Sequence, residues 1–167
     1  MTGLLPVVTF EALHEGVVAP SRATREAAGY DLCAFLRGRS VRAYRDGAPL
    51  DIATGEDAAL VLEPGDIALV PLGFRARLPN GYEAQIRIRS SVALKKGLTL
   101  PNAPGTIDAD YPDEWLVMVR NSGTRRARIE HGERIAQVVL ARYAALEWRA
   151  GAVQRSTDRT GGLGSTG

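Results

Sequence analysis

Short apolar runs recur about every ten residues along this chain, each closed by glycine, proline or aspartate, a rhythm that belongs to all-β sandwiches and barrels. No stretch carries the spacing of a long amphipathic helix. The clearest strand is Tyr82 to Ile88, where Tyr82, Ala84, Ile86 and Ile88 alternate with Glu83, Gln85 and Arg87. Leu5 to Phe10, Gly29 to Ala34, Ala59 to Leu62, Ile67 to Pro71, Trp115 to Arg120, Ala127 to Ile129 and Arg134 to Tyr143 complete the expected strands. Ser90 to Gly97, with serine at its start and glycine at its end, predicts one short helix. Residues 37–55 are basic and glycine-bearing without a clear period, so we expect an exposed loop or an extra surface hairpin there.

Composition narrows the class further. With 167 residues, 45% of them hydrophobic, the chain has material for one core and one domain. A net charge of +2, spread evenly, argues against a nucleic-acid surface but suits a small anionic ligand. No run approaches the roughly 18 apolar residues of a membrane span, and the N-terminus lacks the layout of a secretion signal. The only cysteine, Cys33, excludes a disulfide framework and a cysteine-based metal site, which suits a reducing compartment and makes the cytoplasm the expected location.

Chemistry concentrates in Pro104 to Trp115. Asp108, Asp110 and Tyr111 follow the Pro104-Gly105 turn signal and precede the apolar run Leu116 to Val119, as on the rim of a β-hairpin. In strand geometry Asp108 and Asp110 share one face and Ile107 and Ala109 the other. The structural alternative is an acidic turn on a solvated edge. The last segment, Gly151 to Gly167, is polar and glycine-rich, either a disordered tail or a flexible phosphate cradle of glycine and serine N–H groups with an arginine. It is not a P-loop, because the lysine motif and the following helix are missing.

Five stretches then stand in order: AGYDL at 28–32, RSSVALKKG at 89–97, NAPGTIDADY at 102–111, GERIAQVV at 132–139 and RTGGLGSTG at 159–167. In order and spacing they resemble the motifs of the trimeric dUTPase family, from residue 28 onward. The resemblance implies an all-β, jelly-roll-like distorted barrel over residues 1–150, one short helix, and a flexible arm over 151–167 that closes over an active site. It implies hydrolysis of dUTP to dUMP and pyrophosphate, with Asp108 activating the attacking water. Tyr111 would pack under the deoxyribose, Asn102 would pair with the uracil edge, and backbone groups near Thr106, Ile107 and Leu116 would help. Arg89, Ser90, Ser91 and Gln137 would bind phosphates; Arg159, Leu163, Gly164 and Ser165 would close over the nucleotide, with Arg155 as an alternative to Arg159. Asp31 would steady waters around Mg²⁺ held mainly by the triphosphate, with no protein-only metal cage. The resemblance also implies a homotrimer with shared sites, so truncation after Gln154 should abolish activity and spare the fold.

The chain departs from the family pattern at four places. Ser91 stands for a glycine, Pro112 and Asp113 precede Glu114 where arginine and glycine are usual, Leu163 replaces a stacking phenylalanine, and Arg159 lies one residue nearer the glycine pair. Residues 37–55 have no counterpart in shorter members. The nearest rival is a dCTP deaminase of similar fold, but its glutamate aligns with Met118 and its arginine with Leu94, which leaves deamination without an acid/base. A non-catalytic nucleotide-binding or structural trimer is the other alternative, disfavoured by Asp108, Tyr111, Asn102 and Arg89 occurring together.

Overall fold

The computed structural model describes residues 5–158. In chain order its strands are β1 (Thr9–Ala12), β2 (Ser21–Arg22), β3 (Tyr30–Cys33), β4 (Ser40–Arg45), β5 (Ala48–Ala53), β6 (Ala59–Leu62) and β7 (Ile67–Pro71). They continue with β8 (Phe74–Arg77), β9 (Tyr82–Ile88), the helix α1 (Ser90–Lys96), β10 (Leu98–Thr99), β11 (Gly105–Ile107), β12 (Leu116–Asn121), β13 (Ala127–Glu130) and β14 (Arg134–Arg142). One five-stranded sheet has the order β10-β12-β7-β4-β5, the other β11-β9-β14-β3-β2, and the pairs β1-β8 and β13-β6 complete the set. The fold is all-β and jelly-roll-like, with open sheets among the described residues rather than a closed barrel.

Alternation puts one apolar face of each sheet into a common core. Ala84 and Ile86 of β9 and Leu32 of β3 meet Val41 and Ala43 of β4, Val70 of β7, and Val117 and Val119 of β12 in one buried cluster. Each valine, leucine or isoleucine among them, taken out of water, contributes about 1.5–3 kcal/mol before entropy is counted. At the bulge in β14, the register shifts between Arg134 and Ala136 and the neighbours Ile135 and Ala136 are both buried.

Several boundaries differ from expectation. The first strand begins at Thr9, and Leu5 and Val7 stay 83% and 78% exposed. β8 and the two-residue strands β2 and β10 have no clear sequence signal. The helix has Arg89, not Ser90, at its N-cap, in extended backbone, and Gly97 ends it at φ 65°. Residues 37–55 contain a hairpin, β4-β5, turning at Asp46 and Gly47 with φ 50° and 80° and Arg45 opposite Ala48. Two central residues with positive φ define a type I′ turn, which glycine makes inexpensive. Arg45 fastens this hairpin to the fully buried Asp66 through two bonds of 2.8 Å.

The expected hairpin across 104–119 is corrected by the pairing. β11 pairs with β9, whereas β12 pairs with β7 and β10, so the two flanking strands belong to different sheets. β11 also ends at Ile107, and Asp108 to Asp110 form a turn in which the Tyr111 N–H donates to the Asp108 carbonyl at 3.2 Å. Asp108 and Asp110 nevertheless face water, while Ile107 and Ala109 pack on the core.

Candidate active site

Where the two sheets part at β11 and β12, a cleft of about 90 Å³ opens. Its walls are apolar, from Leu69, Ile86, Leu100, Ile107, Leu116 and Met118, and its polar lining comes from Asn102 and Thr106. Gly105 keeps it open at one wall, since a Cβ there would lie 3.3 Å from the Cβ of Ile86 and 3.4 Å from the Asn102 amide nitrogen. Asp108 follows this wall directly, exposed and without an ion pair among the described residues, which leaves its oxygens available to a water molecule. Tyr111 lies beside the cleft rather than in it, sharing a neighbouring hollow with Asp110, Pro112, Arg75 and Arg77. Burial first, then the charges of Asp113 and Glu114, raise its phenol above the ordinary value, so the ring is neutral.

A second group of predicted residues meets at the far end of β9. Gln137 on β14 stands opposite Asp31 on β3 and Arg87 on β9, so these three form one row across the sheet. Asp31 Oδ2 receives Arg89 Nη1 at 3.3 Å and Arg134 Nη1 at 3.1 Å. Arg89 is fixed by its backbone as well, its N–H donating to the Ile135 carbonyl at 3.2 Å. Ser90 and Ser91 open the helix beside it, both exposed. Gln137 is seated over Gly29, where a Cβ would come within 2.1 Å of its Oε1. Sequence reading missed that close approach and the Arg134 partner, although both lie inside stretches it had marked.

Asp108 and Arg89 follow opposite ends of the ladder: Ile107 is opposite Ala84, and the five steps from Ala84 to Arg89 extend about 17 Å along the chain. Arg159, Leu163, Gly164 and Ser165 lie outside the described residues. Among the described residues no three His, Cys, Asp or Glu side chains converge on a metal position. With Arg89 and Arg134 both on Oδ2, Asp31 fits an outer role toward a cation, through a metal-bound water, rather than that of a direct ligand. No helix among the described residues is long and apolar enough to cross a membrane.

Comparison with known proteins bears on the family of the whole chain. A dUTPase family model matches residues 40–167. A deoxyuridine 5'-triphosphate nucleotidohydrolase of Desulfotalea psychrophila is 49% identical over 141 residues, covering 80% of this chain and 94% of the relative. Its counterpart in Solibacter usitatus is 44% identical over 122 residues, 73% of this chain and 82% of the relative. The crystal structure of dUTPase from Streptococcus mutans superposes with a TM-score of 0.66 at 28% identity, covering 84% of this chain and 99% of that one. The Staphylococcus bacteriophage 80alpha dUTPase with dUPNHPP shares the fold, with a TM-score of 0.75 at 22% identity over 96% of this chain and 98% of that one. A family match over most of the sequence, with relatives above 40% identity, settles the matter: the chain belongs to the dUTPase family.

Proposed function

We propose that this chain hydrolyses dUTP to dUMP and pyrophosphate. The observation that carries the reading is a small apolar cleft, edged by Asn102 and Thr106, with the unpaired Asp108 carboxylate directly after the strand that walls it. A uracil ring enters the cleft, the Asn102 amide bonds its polar edge, and backbone groups at Thr106, Ile107 and Leu116 complete the recognition. A thymine methyl meets the walls, and cytosine presents the wrong hydrogen-bond polarity, the stronger of the two exclusions. Tyr111, neutral and half-buried, packs under the deoxyribose and leaves no room for a 2′-hydroxyl. Asp108 takes a proton from water; the water oxygen bonds to the α-phosphorus in line, and the bond from that phosphorus to the bridging oxygen breaks to release pyrophosphate. Arg89, Ser90, Ser91 and Gln137 hold the phosphates by charge-assisted and neutral hydrogen bonds. Mg²⁺ on the triphosphate, steadied through water by Asp31, would offset the leaving group's charge.

The separation of Asp108 from Arg89 along β9 supports a site shared between subunits, and we place it in a homotrimer in which Asp108 of one subunit works with Arg89 of another. Residues 151–167 would then act as an arm, with Arg159, Leu163, Gly164 and Ser165 closing the site in the cytoplasmic enzyme. Met118 on the cleft wall cannot carry a proton, and Leu94 is 86% exposed, so the deaminase reading gains nothing here. The test is release of pyrophosphate from dUTP, dCTP, dTTP and UTP with Mg²⁺, by wild type and Asp108→Asn. Release from dUTP alone, lost in the variant, is expected. Ammonia from dCTP, or silence on every nucleotide, would overturn the reading.

A further inference from the structure

The segment from Asp108 to Leu116 carries the water-activating carboxylate at one end and a cleft wall at the other. Among the described residues its only ion pair is Glu114 with Arg39. Arg39 Nη2 donates to Glu114 Oε2 at 2.6 Å, and the Gly73 N–H donates to Oε1 at 2.8 Å. Both partners are largely buried, with side-chain exposures of 22% and 18%. Neither side of the clamp is loose. The Arg39 carbonyl accepts from the Thr54 N–H and hydroxyl at 3.2 and 2.9 Å, and its Nη1 lies 2.7 Å from His14 Nε2. Because a guanidinium only donates, that imidazole nitrogen accepts. Gly73 is wedged so tightly that a Cβ would fall 2.7 Å from Val17 and 2.8 Å from the Phe35 ring. On the loop side, the Tyr111 hydroxyl reaches the Glu114 carbonyl at 3.5 Å, and Trp115 bonds to Phe74 and Leu72 through its N–H and carbonyl.

We infer that Arg39 and Glu114 are positioning residues for nucleotide binding, the ion pair setting where Tyr111 and Leu116 stand relative to sugar and base. The inference rests on the function proposed above. It also gives the root of the 37–55 segment a role, since Arg39 lies at its start. The pair fixes the exit of the loop on the β7-β8 turn, with one Glu114 oxygen on Arg39 and the other on the Gly73 N–H. Removing Arg39 alone therefore leaves a largely buried, uncompensated charge, which is worse than removing both partners.

The test is steady-state kinetics on dUTP with thermal melting for wild type, Arg39→Ala, Arg39→Lys, Glu114→Gln and the Arg39→Ala/Glu114→Gln double variant. Arg39→Ala is expected to raise KM about tenfold while kcat stays within about threefold, a coupling of the size measured for contacting groups. Lysine should recover part of the loss, and the double variant should bind better than Arg39→Ala alone. A purely structural role would lower the melting temperature without this split in KM, without rescue, and without the advantage of the double variant; that outcome overturns the inference. If Arg39→Ala does not fold, unchanged KM in both Arg39→Lys and Glu114→Gln overturns it as well. A wild type inactive on dUTP would overturn the proposed function and this inference together, whereas an active wild type with insensitive variants overturns only the clamp.

Discussion

The cleft proposed for the base and the row proposed for the phosphates solve opposite problems within one chain. At the cleft, shape comes from backbone ladders and apolar packing, and the carboxylate proposed to activate water stands apart: Asp108 is exposed and makes no ion pair among the described residues. At the row, the active side chains hold one another, with Asp31 bonded to Arg89 and Arg134 and Gln137 seated on Gly29. A free carboxylate suits a group that must meet water. A pre-paired arginine suits a group that waits for an anion, because its geometry is set before the ligand arrives and little ordering entropy is left to lose. The contrast teaches that function and stability are separable at the cleft and entangled at the row.

The sharpest way to break the contrast is Asp108→Asn. With no partner to lose, the variant should melt within about 1 °C of wild type, while kcat falls about 10²- to 10⁴-fold, the range for loss of a general base. Paired melting curves and pyrophosphate assays check it; a large melting shift would mean that Asp108 carries structure too. Next in size is Arg89→Ala at the row. It removes the proposed phosphate donor, a charged hydrogen bond of about 1.5–3 kcal/mol, and also strips Asp31 of one partner. Arg134 remains on Asp31, so folding survives. KM should rise about tenfold or more and stability should fall by about 1 kcal/mol, a joint loss that Asp108→Asn does not show. Mixing the two variants under conditions that exchange subunits should restore activity if the two groups come from different chains. Failure of the mixture to recover any turnover would place both groups in one chain's site and end the shared-site proposal.

How far these regions could be read in advance follows from what each depends on. Tyr82 to Ile88 alternates, and its buried Ala84 and Ile86 are where period two puts them. The helix was marked by its own punctuation, though Arg89 rather than Ser90 holds the capping position. The 104–119 hairpin was misread because adjacency in sequence suggested pairing, while the competing ladders to β9 and β7 took the two strands apart. The β4-β5 hairpin was one of two readings of residues 37–55, supported by Asp46-Gly47 and by Val41 and Ala43 on either side of Arg42, but the alternation was too short to decide against a loop. Contacts such as Glu114 to Arg39, separated by 75 positions, leave no local trace at all. Asp31, Arg89 and Gln137 were picked out by their resemblance to known motifs, Arg87 and Arg134 were not, and only the register of β14 against β3 and β9 explains why Gln137 and Asp31 share a face.

The smallest effect probes the row's finest fit. Gly29 is not in the left-handed region, so an alanine strains no backbone; what it meets is Gln137, with Oε1 at 2.1 Å and Cδ at 2.8 Å from the new Cβ. A flexible amide can swing away, so the fold should persist with a loss of about 1 kcal/mol or less. The displaced amide can no longer serve a phosphate, and one neutral hydrogen bond of about 1 kcal/mol corresponds to a KM several-fold higher with kcat little changed. Kinetics on Gly29→Ala, Gln137→Ala and the double variant decide whether Gln137 is the route. If it is, alanine at 29 adds nothing once Gln137 is already gone, because the contact it disturbs no longer exists. A double variant worse than Gln137→Ala would show that Gly29 also acts on Asp31 along β3, two residues away, and the row would then be one rigid unit rather than a set of separately seated side chains.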